Sequence, residues 1–400
     1  METWDEAWSN PVFSSAERER RHEAVRDLMG RDGIDVICCL PWTSRHDVSQ
    51  GDSRYLTQLG ENSDETTVAF SRDGVTAWHS RGGAWPSSSW VDDLRAAPRG
   101  TGGRTIVGWL GEQGLDKGTV AVAGLTGGVL SRCGAGEGEV NWESVQRIRE
   151  AFPKLNIVSG TDLLGEARFR KSEEEIQFLR RGREIAAAVV DAVVANARAG
   201  VTEREVWGRM LRTYADLGGS FEPNFGWITG PVGQTYPRLP QPTFRRFQDG
   251  DVLVAEIEGR WAGYIVRVDR LFGIGRLPAD VRAASRSCLA AFRRAVDAMR
   301  PGATVGEVLQ AGASDVLGKR GRVELSISGC GTGDDGPVAD ASSPAELLAV
   351  ELQENCVMTI VCDAVVDGRP HYGRWAETVV VRAKGAELLL DVDEPFYELA

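Results

Sequence analysis

The chain has 400 residues, of which 42% are hydrophobic and 26% are charged. This composition is typical of a globular protein with enough apolar mass for a sizeable core, and it excludes a largely disordered chain. The 58 Asp and Glu residues outnumber the 46 Lys and Arg residues, which gives a formal net charge of −12. That balance argues against nucleic acid or an anionic membrane as the main partner, but it leaves room for a local basic patch.

Cysteine and histidine usage narrows the chemistry further. The seven cysteines have irregular spacings, so they predict neither a disulfide framework nor a zinc cluster. Four histidines limit both metal ligation and proton transfer by imidazole. The N-terminal stretch is acidic, and no apolar run approaches the roughly 20 residues that a membrane span needs. We therefore expect a cytoplasmic protein with reduced thiols.

The first part of the chain alternates between helical and extended patterns. A charged helix is predicted over residues 15–29, and a buried strand over the apolar run 34–40. A polar insertion at 43–53 is predicted to be a loop. Further strands are predicted at residues 54–57, 67–70, 106–109 and 119–122, a helix at 141–152 and a linker at 162–169. This alternation indicates an α/β N-terminal domain over residues 1–163.

The second part begins with two helices and continues mainly with strands. Ser172 and Glu175 form a capping-box pattern that opens a helix ending near Gly200. Thr202 is the predicted N-cap of the next helix, which ends near Gly218. Strands are predicted over 251–275 and 358–390, and helices over 278–299 and 305–317. Residues 164–400 are therefore predicted to form an α+β C-terminal domain.

Several short motifs occur in a fixed order in this second part. They are Arg-Lys-Ser-Glu-Glu-Glu-Ile at 170–176, Gly-Val-Thr-Glu-Arg-Glu at 200–205, Gly-Asp-Val-Leu-Val at 250–254, Gly-Cys-Gly-Thr-Gly at 329–333 and Val-Met-Thr-Ile at 357–360. In this order the sequence resembles the creatinase/aminopeptidase P family. The resemblance implies a pita-bread fold for the C-terminal domain. It also implies a homodimer in which the N-terminal domain of one subunit covers the pocket of the other.

Peptidases of that family hold two metal ions with two Asp, one His and two Glu. The resemblance places the corresponding positions at Glu256, Arg267, Cys330, Val361 and, depending on the register of the last hairpin, Ala376 or Glu377. A guanidinium cannot ligate a divalent cation and repels one at close range. We therefore predict no bound metal and no other cofactor.

Some relatives in this family act on small polar substrates, among them creatinase, which works without metal, and ectoine hydrolase. The Asp269-Arg270 pair after Gly263-Tyr264 resembles the creatinase pattern, in which the acid contacts substrate. The loop that carries the catalytic His of creatinase corresponds to residues 230–237. This chain has no His there, and Tyr236 is the nearest polar candidate.

Alternation along the predicted strands defines the candidate site. Glu256 and Glu258 point to one face of their strand, and Arg267 and Asp269 share a face on the next. If the turn is at 260–262, Glu256 lies opposite Arg267. The predicted substrate-binding residues are Glu256, Arg267, Asp269, Tyr236, Cys330, Arg374 and Trp227. Glu258 or Glu377 is the candidate general base, and His371 is the candidate proton shuttle.

These residues favour a metal-independent hydrolase that cleaves an amide or amidine-type C–N bond in a small polar molecule. Two alternatives are a non-catalytic pseudo-peptidase that binds ligands and a diverged non-hydrolytic enzyme of a specialised pathway. A further alternative is a metallopeptidase with rearranged ligands, namely Glu256, Asp269, His371 and Glu377.

Overall fold

The structure is a computed structural model. It describes residues 13–41, 50–59, 66–80, 90–91, 93–130, 137–220, 223–232, 242–318, 320–390 and 393–400. The chain divides into two compact units, Met1–Glu174 with Thr332–Gly336, and Glu175–Gly331 with Pro337–Ala400. The division falls after the predicted boundary at 163/164, because Leu163, Leu164 and Ala167 are packed in the core of the first unit.

The first unit is built around a mixed sheet. Its elements are α1 (Ser15–Asp32), β1 (Val36–Cys39), α2 (Gly51–Thr57), β2 (Thr67–Ser71), β3 (Val75–His79), β4 (Asp93–Ala96), α3 (Gly102–Glu112), β5 (Gly118–Val122), α4 (Trp142–Ala151), β6 (Leu155–Ser159) and α5 (Thr161–Phe169). The six strands are ordered β4-β3-β2-β1-β5-β6. Strand β1 pairs antiparallel with β2 and parallel with β5. The predicted α/β architecture is confirmed.

Four sequence predictions in this unit are wrong in whole or in part. Residues 54–57 and 106–109 were expected to be strands but lie in helices α2 and α3, and the expected linker at 162–169 is helix α5. Of the loop expected at 43–53, residues 43–49 lie outside the described residues and residues 51–53 belong to helix α2. In α3, Ile106, Trp109 and Leu110 are buried at helical spacing. A short apolar run does not distinguish a strand from a buried helical turn. The spacing of three and four residues between Ile106, Trp109 and Leu110 is the feature of the sequence that indicates a helix.

The second unit contains one large sheet covered by helices. Its elements are α6 (Glu173–Asn196), α7 (Glu203–Asp216), β7 (Phe225–Pro231), β8 (Asp251–Trp261), β9 (Tyr264–Ile274), α8 (Ala279–Ala298), α9 (Val305–Gly312), β10 (Ser314–Val316), β11 (Gly321–Cys330), β12 (Asp334–Asp340), α10 (Ala345–Leu348), β13 (Val357–Val366), β14 (Arg369–Arg382), β15 (Gly385–Leu388) and β16 (Tyr397–Leu399). The main sheet path is β10-β11-β13-β14-β9-β8-β7.

Helix α7 begins as predicted, with a capping box formed by Thr202 and Glu205. The helix predicted at 305–317 ends earlier, at Gly312, and residues 314–316 pair with β11 instead. No helix within the described ranges is both long and apolar enough to cross a membrane.

Helices α6 and α7 pack against one face of the β8–β9 hairpin. Ile185 and Met210 from these helices share a buried core with Leu253, Ile257 and Val268 from the strands. Because side chains alternate along a strand, the neighbouring residues of β8 and β9 point to the opposite face. The helices thus cover the apolar face of the hairpin, and the polar side chains of β8 and β9 lie on the face that the helices leave uncovered.

Candidate active site

The β8–β9 hairpin sets the register of the site. Its turn is at Ala262 and Gly263, so that Glu256 pairs with Asp269 and Glu258 pairs with Arg267. The expectation that Glu256 lies directly opposite Arg267 is therefore wrong, because it assumed a turn at residues 260–262. The face of the sheet that carries these four side chains is called the site face below.

Arg267 forms the centre of the site face. Its Nη2 atom lies 2.7 Å from Oε2 of Glu256, which is diagonal to it across the hairpin. Its Nε and Nη2 atoms donate to Oδ1 and Oδ2 of Asp269, each at 2.9 Å. The Arg267 side chain is 25% exposed and that of Asp269 is fully buried. The structure thus brings these three predicted residues together.

Arg374 joins the cluster from strand β14. Its Nε atom donates to Oδ2 of Asp269 at 2.8 Å, and its Nη1 atom lies 3.3 Å from Oδ2 of Asp363. Burial by itself raises the pKa of Asp269, but the guanidinium groups of Arg267 and Arg374 outweigh burial and hold that pKa well below its usual range. Asp269 is therefore a carboxylate that is ionised at neutral pH and shared by two arginines.

His371 is turned toward this cluster by an unusual backbone conformation. Its φ is +65°, a left-handed value that non-glycine residues rarely adopt, and the β13–β14 register shifts nearby, between Ala364 and Val366. Its backbone N–H donates to Oδ1 of Asp363 at 3.0 Å. Its ring Nδ1 lies 3.0 Å from Oδ2 of the same carboxylate. Asp363 therefore links His371 to Arg374.

These contacts form one continuous series across the site face. We call it the charge chain, and it consists of Glu256, Arg267, Asp269, Arg374, Asp363 and His371. Sequence reasoning missed Asp363. The available signal was its position two residues after Val361 on the same strand, which places both side chains on one face.

Glu258 lies on the same face but has different partners. Its Oε1 atom accepts from Nδ2 of Asn224 at 2.9 Å, and its Oε2 atom accepts from Nε of Arg260 at 3.0 Å. The Glu258 residue is 7% exposed. Neither Asn224 nor Arg260 was predicted to support it.

Glu377, the other predicted general base, is not on the site face. Its carboxylate accepts two hydrogen bonds from Arg183 of helix α6, at 2.6 and 2.8 Å, and one from Arg270 at 2.6 Å. The position beside Asp269 belongs instead to Ala376, which pairs with it across β9 and β14. This register resolves the ambiguity between 376 and 377. Glu377 is a buried anchor between sheet and helix.

Cys330 lies next to two threonines at the end of β11. Its Sγ atom is 3.0 Å from Oγ1 of Thr359, which is 2.9 Å from Oγ1 of Thr378. The Thr378 hydroxyl donates to the backbone carbonyl of Arg267 at 3.1 Å. Cys330 is therefore joined to the Arg267 strand through two hydroxyl groups.

One further predicted residue, Trp227, does not join the site face. Trp227 is buried in the core between the sheet and helices α6 and α7, where its ring contacts those of Trp207 and Phe247. From the sequence alone, an aromatic residue on a strand is equally compatible with a pocket wall and with a position in the core. Tyr236 lies outside the described residues.

The residues at the family's metal positions do not fit two divalent cations. Val361 and Ala376 carry no donor atom, and Arg267 places a positive charge between Glu256 and Asp269. Hard cations require several anionic or imidazole donors. In the part of the chain that the structure describes, no group of three or more His, Cys, Asp or Glu residues is arranged to hold a metal ion.

Comparisons with known proteins agree with this architecture. The model of metallopeptidase family M24 matches residues 177–383, which is more than half of the chain. The chain therefore belongs to peptidase family M24, and the resemblance to creatinase and aminopeptidase P is confirmed.

Similar proteins include peptidases and a creatinase. The Xaa-Pro dipeptidase of Pyrococcus furiosus is 24% identical over 255 residues, covering 63% of this chain and 72% of that protein. The creatinase of a Bacillus species is 25% identical over 267 residues, covering 65% and 61%. The probable dipeptidase PepE of Mycobacterium tuberculosis is 32% identical over 184 residues, covering 44% and 46%.

Solved structures establish the fold. The X-Pro aminopeptidase of Thermotoga maritima superposes with a TM-score of 0.74 at 17% identity, covering 94% of this chain and 99% of that chain. The dipeptidase PepE of Mycobacterium ulcerans superposes with a TM-score of 0.72 at 20% identity, covering 97% and 100%. The predicted two-domain architecture, with an α/β N-terminal domain and a pita-bread C-terminal domain, is confirmed.

Proposed function

We propose that this chain is a hydrolase that cleaves an amide or amidine-type C–N bond in a small polar molecule without a metal ion. Its membership of family M24, with dipeptidases and a creatinase among its relatives, supports hydrolysis of such a bond. The observation that carries metal independence is the position of Arg267, whose guanidinium is ion-paired with both Glu256 and Asp269.

Arg267 and Arg374 are the proposed substrate-binding pair. Their side chains are 25% and 16% exposed, so neither is fully enclosed by the protein. A guanidinium binds carboxylate oxygens through two parallel hydrogen bonds. A substrate with a carboxylate, held here with Cys330 beside it, would be oriented without a metal ion.

The His371–Asp363 pair is the proposed general base. Asp363 contacts the Nδ1 side of the ring and no described residue hydrogen-bonds Nε2, so Nε2 is available to a water molecule. In the proposed reaction, His371 removes a proton from water as the oxygen attacks the carbon of the C–N bond. The protonated ring then gives that proton to the departing nitrogen. Glu258, held in place by Arg260 and Asn224, would stabilise positive charge that develops on the substrate.

The test is a chelator-insensitive activity. The full chain is incubated with N-acyl and amidino derivatives of small amino acids, with EDTA or with added Mn²⁺, and products are measured by mass spectrometry. Turnover that persists in EDTA and falls at least about a hundredfold in His371→Gln supports the proposal. His22→Gln, in the first unit, is the matched control. Turnover that requires Mn²⁺ would overturn metal independence.

One observation favours a binding module as the second candidate. Each of the acids Glu256, Glu258, Asp269 and Asp363 is ion-paired with an arginine, so the charged side chains of the site face already neutralise one another. Binding of a substrate analogue with no turnover in any condition would support this candidate. A non-hydrolytic reaction would appear instead as a product without added water. The homodimer and the cytoplasmic location remain predictions, and light scattering measures the first.

A further inference from the structure

A polar cavity lies on the helical side of the second unit, between the end of α6 and helix α7. Its volume is about 370 Å³. We call it the arginine groove, and it is lined by Asn196, Arg198, Val201, Arg204, Glu205, Gly208, Arg209 and Arg212. Four of these residues are arginine and one is glutamate, although the whole chain has a net charge of −12. The groove is therefore a local concentration of positive charge on an acidic protein.

The single acid of the groove is already engaged. The carboxylate of Glu205 accepts hydrogen bonds from the backbone N–H and the hydroxyl of Thr202, both at 2.8 Å. These hydrogen bonds lower the pKa of Glu205, so it is ionised and caps its own helix. Arg212 pairs with Asp216, which is outside the groove, at 3.3 Å. Arg198 also interacts electrostatically with Glu205. Arg204 and Arg209 have no carboxylate within ion-pair distance among the described residues.

The shape of the groove also favours a ligand. Gly208 lies in the middle of helix α7, where glycine is unfavourable, and it lines the groove. No atom lies within 4 Å of the position that a Cβ would take there, so the groove is open beside this residue. On one side, the guanidinium of Arg204 stacks 4.7 Å from the ring centroid of Phe244, a residue that is 77% exposed. This contact holds one arginine at the rim.

We propose that the arginine groove binds a small molecule that carries two or more phosphate groups. Guanidinium groups bind phosphate oxygens through paired hydrogen bonds. Several arginines in one groove offer more hydrogen-bond donors and positive charge than a ligand with a single carboxylate can pair with. A volume of about 370 Å³ falls within the range of small-molecule sites. The proposal is independent of the reaction proposed for the site face, because the two sets of residues do not overlap.

Calorimetric titration of the full chain with inorganic pyrophosphate, orthophosphate and sulfate at low ionic strength tests the groove. We expect pyrophosphate to bind more tightly than the two smaller anions. Each of Arg204→Ala and Arg209→Ala should weaken pyrophosphate about tenfold through the loss of charge-assisted hydrogen bonds. Arg322→Ala is the matched control, because Arg322 is also exposed, lies on β11 and pairs with Glu324. It removes the same charge and should leave the affinity unchanged.

Gly208→Leu separates a shaped site from general attraction, because it fills the groove without changing the charge. It should weaken pyrophosphate at least about tenfold, and circular dichroism would establish that helix α7 is retained. Three results would overturn the proposal: no pyrophosphate binding at millimolar concentration, equal weakening by Arg322→Ala, or no effect of Gly208→Leu. Binding of duplex DNA without binding of pyrophosphate would identify a macromolecular surface and would also overturn it.

Discussion

Arg267 and Asp269 lie two residues apart on strand β9 and form a two-point ion pair, with Nε and Nη2 of the arginine each 2.9 Å from a carboxylate oxygen. Arg374 of β14 binds the same carboxylate at 2.8 Å. The single negative charge of Asp269 is thus shared between the guanidinium groups of Arg267 and Arg374. In this arrangement, removal of any one member leaves a buried charge poorly compensated.

Replacing Arg267 should therefore destabilise the fold. Arg267→Met keeps much of the side-chain volume but removes the ion pairs with Glu256 and Asp269, and we expect a loss of about 2–4 kcal/mol in the free energy of unfolding. Urea denaturation measures this loss. Arg293→Met is the control, since its partnership with Asp393 is exposed and should contribute less than about 1 kcal/mol. Similar values for the two variants would contradict a structural role for the Arg267 pairs.

The stability due to Asp269 should depend on pH in one direction. Its pKa in the folded chain lies below the unfolded value of about 4, so the stabilisation is present above that pH and is lost as the pH falls. Asp269→Asn lacks this contribution. The difference in unfolding free energy between the native chain and the variant should be about 3 kcal/mol at pH 7 and should shrink below about pH 4. A difference that is constant across this range would refute the assignment.

The backbone at His371 should prefer a different residue. Glycine adopts a φ of +65° without strain, whereas a β-branched residue does not. We expect His371→Gly to change the free energy of unfolding by less than about 1 kcal/mol and His371→Val to lower it by about 1–3 kcal/mol. Thermal or urea unfolding of the two variants measures the contrast. If valine were tolerated as well as glycine, the left-handed conformation would not be constrained by the surrounding sheet.

Gly259 should be irreplaceable at the contact between α6 and β8. A Cβ at Gly259 would overlap the carbonyl oxygen of Gly182, and it would also lie only 3.0 Å from the Cβ of Ala186. Gly259→Ala should therefore cost at least about 2 kcal/mol. Gly208→Ala is the matched control. Its Cβ enters open space within a helix, so it should stabilise the chain by about 0.5–1 kcal/mol. Equal effects of the two variants would show that α6 moves away from β8 at little cost.

Local patterns in the sequence determined much of the site. Alternation along β8 and β9 placed Glu256, Glu258, Arg267 and Asp269 on one face, because successive side chains of a strand point to opposite sides. Strands were also predicted for residues 54–57 and 106–109, but these residues lie in helices. Four residues are too few to distinguish the repeat of a strand from that of a buried helix.

Only the tertiary structure decided the partners. The pairing of Asp269 with Ala376 placed Glu377 on the helical face, and the left-handed turn at His371 brought its ring to Asp363. Side-chain alternation follows from the covalent geometry of one strand, so the sequence determines it alone. Strand register depends on turns and on contacts between segments that are distant in the chain, and a shift of one residue exchanges the two faces of a strand.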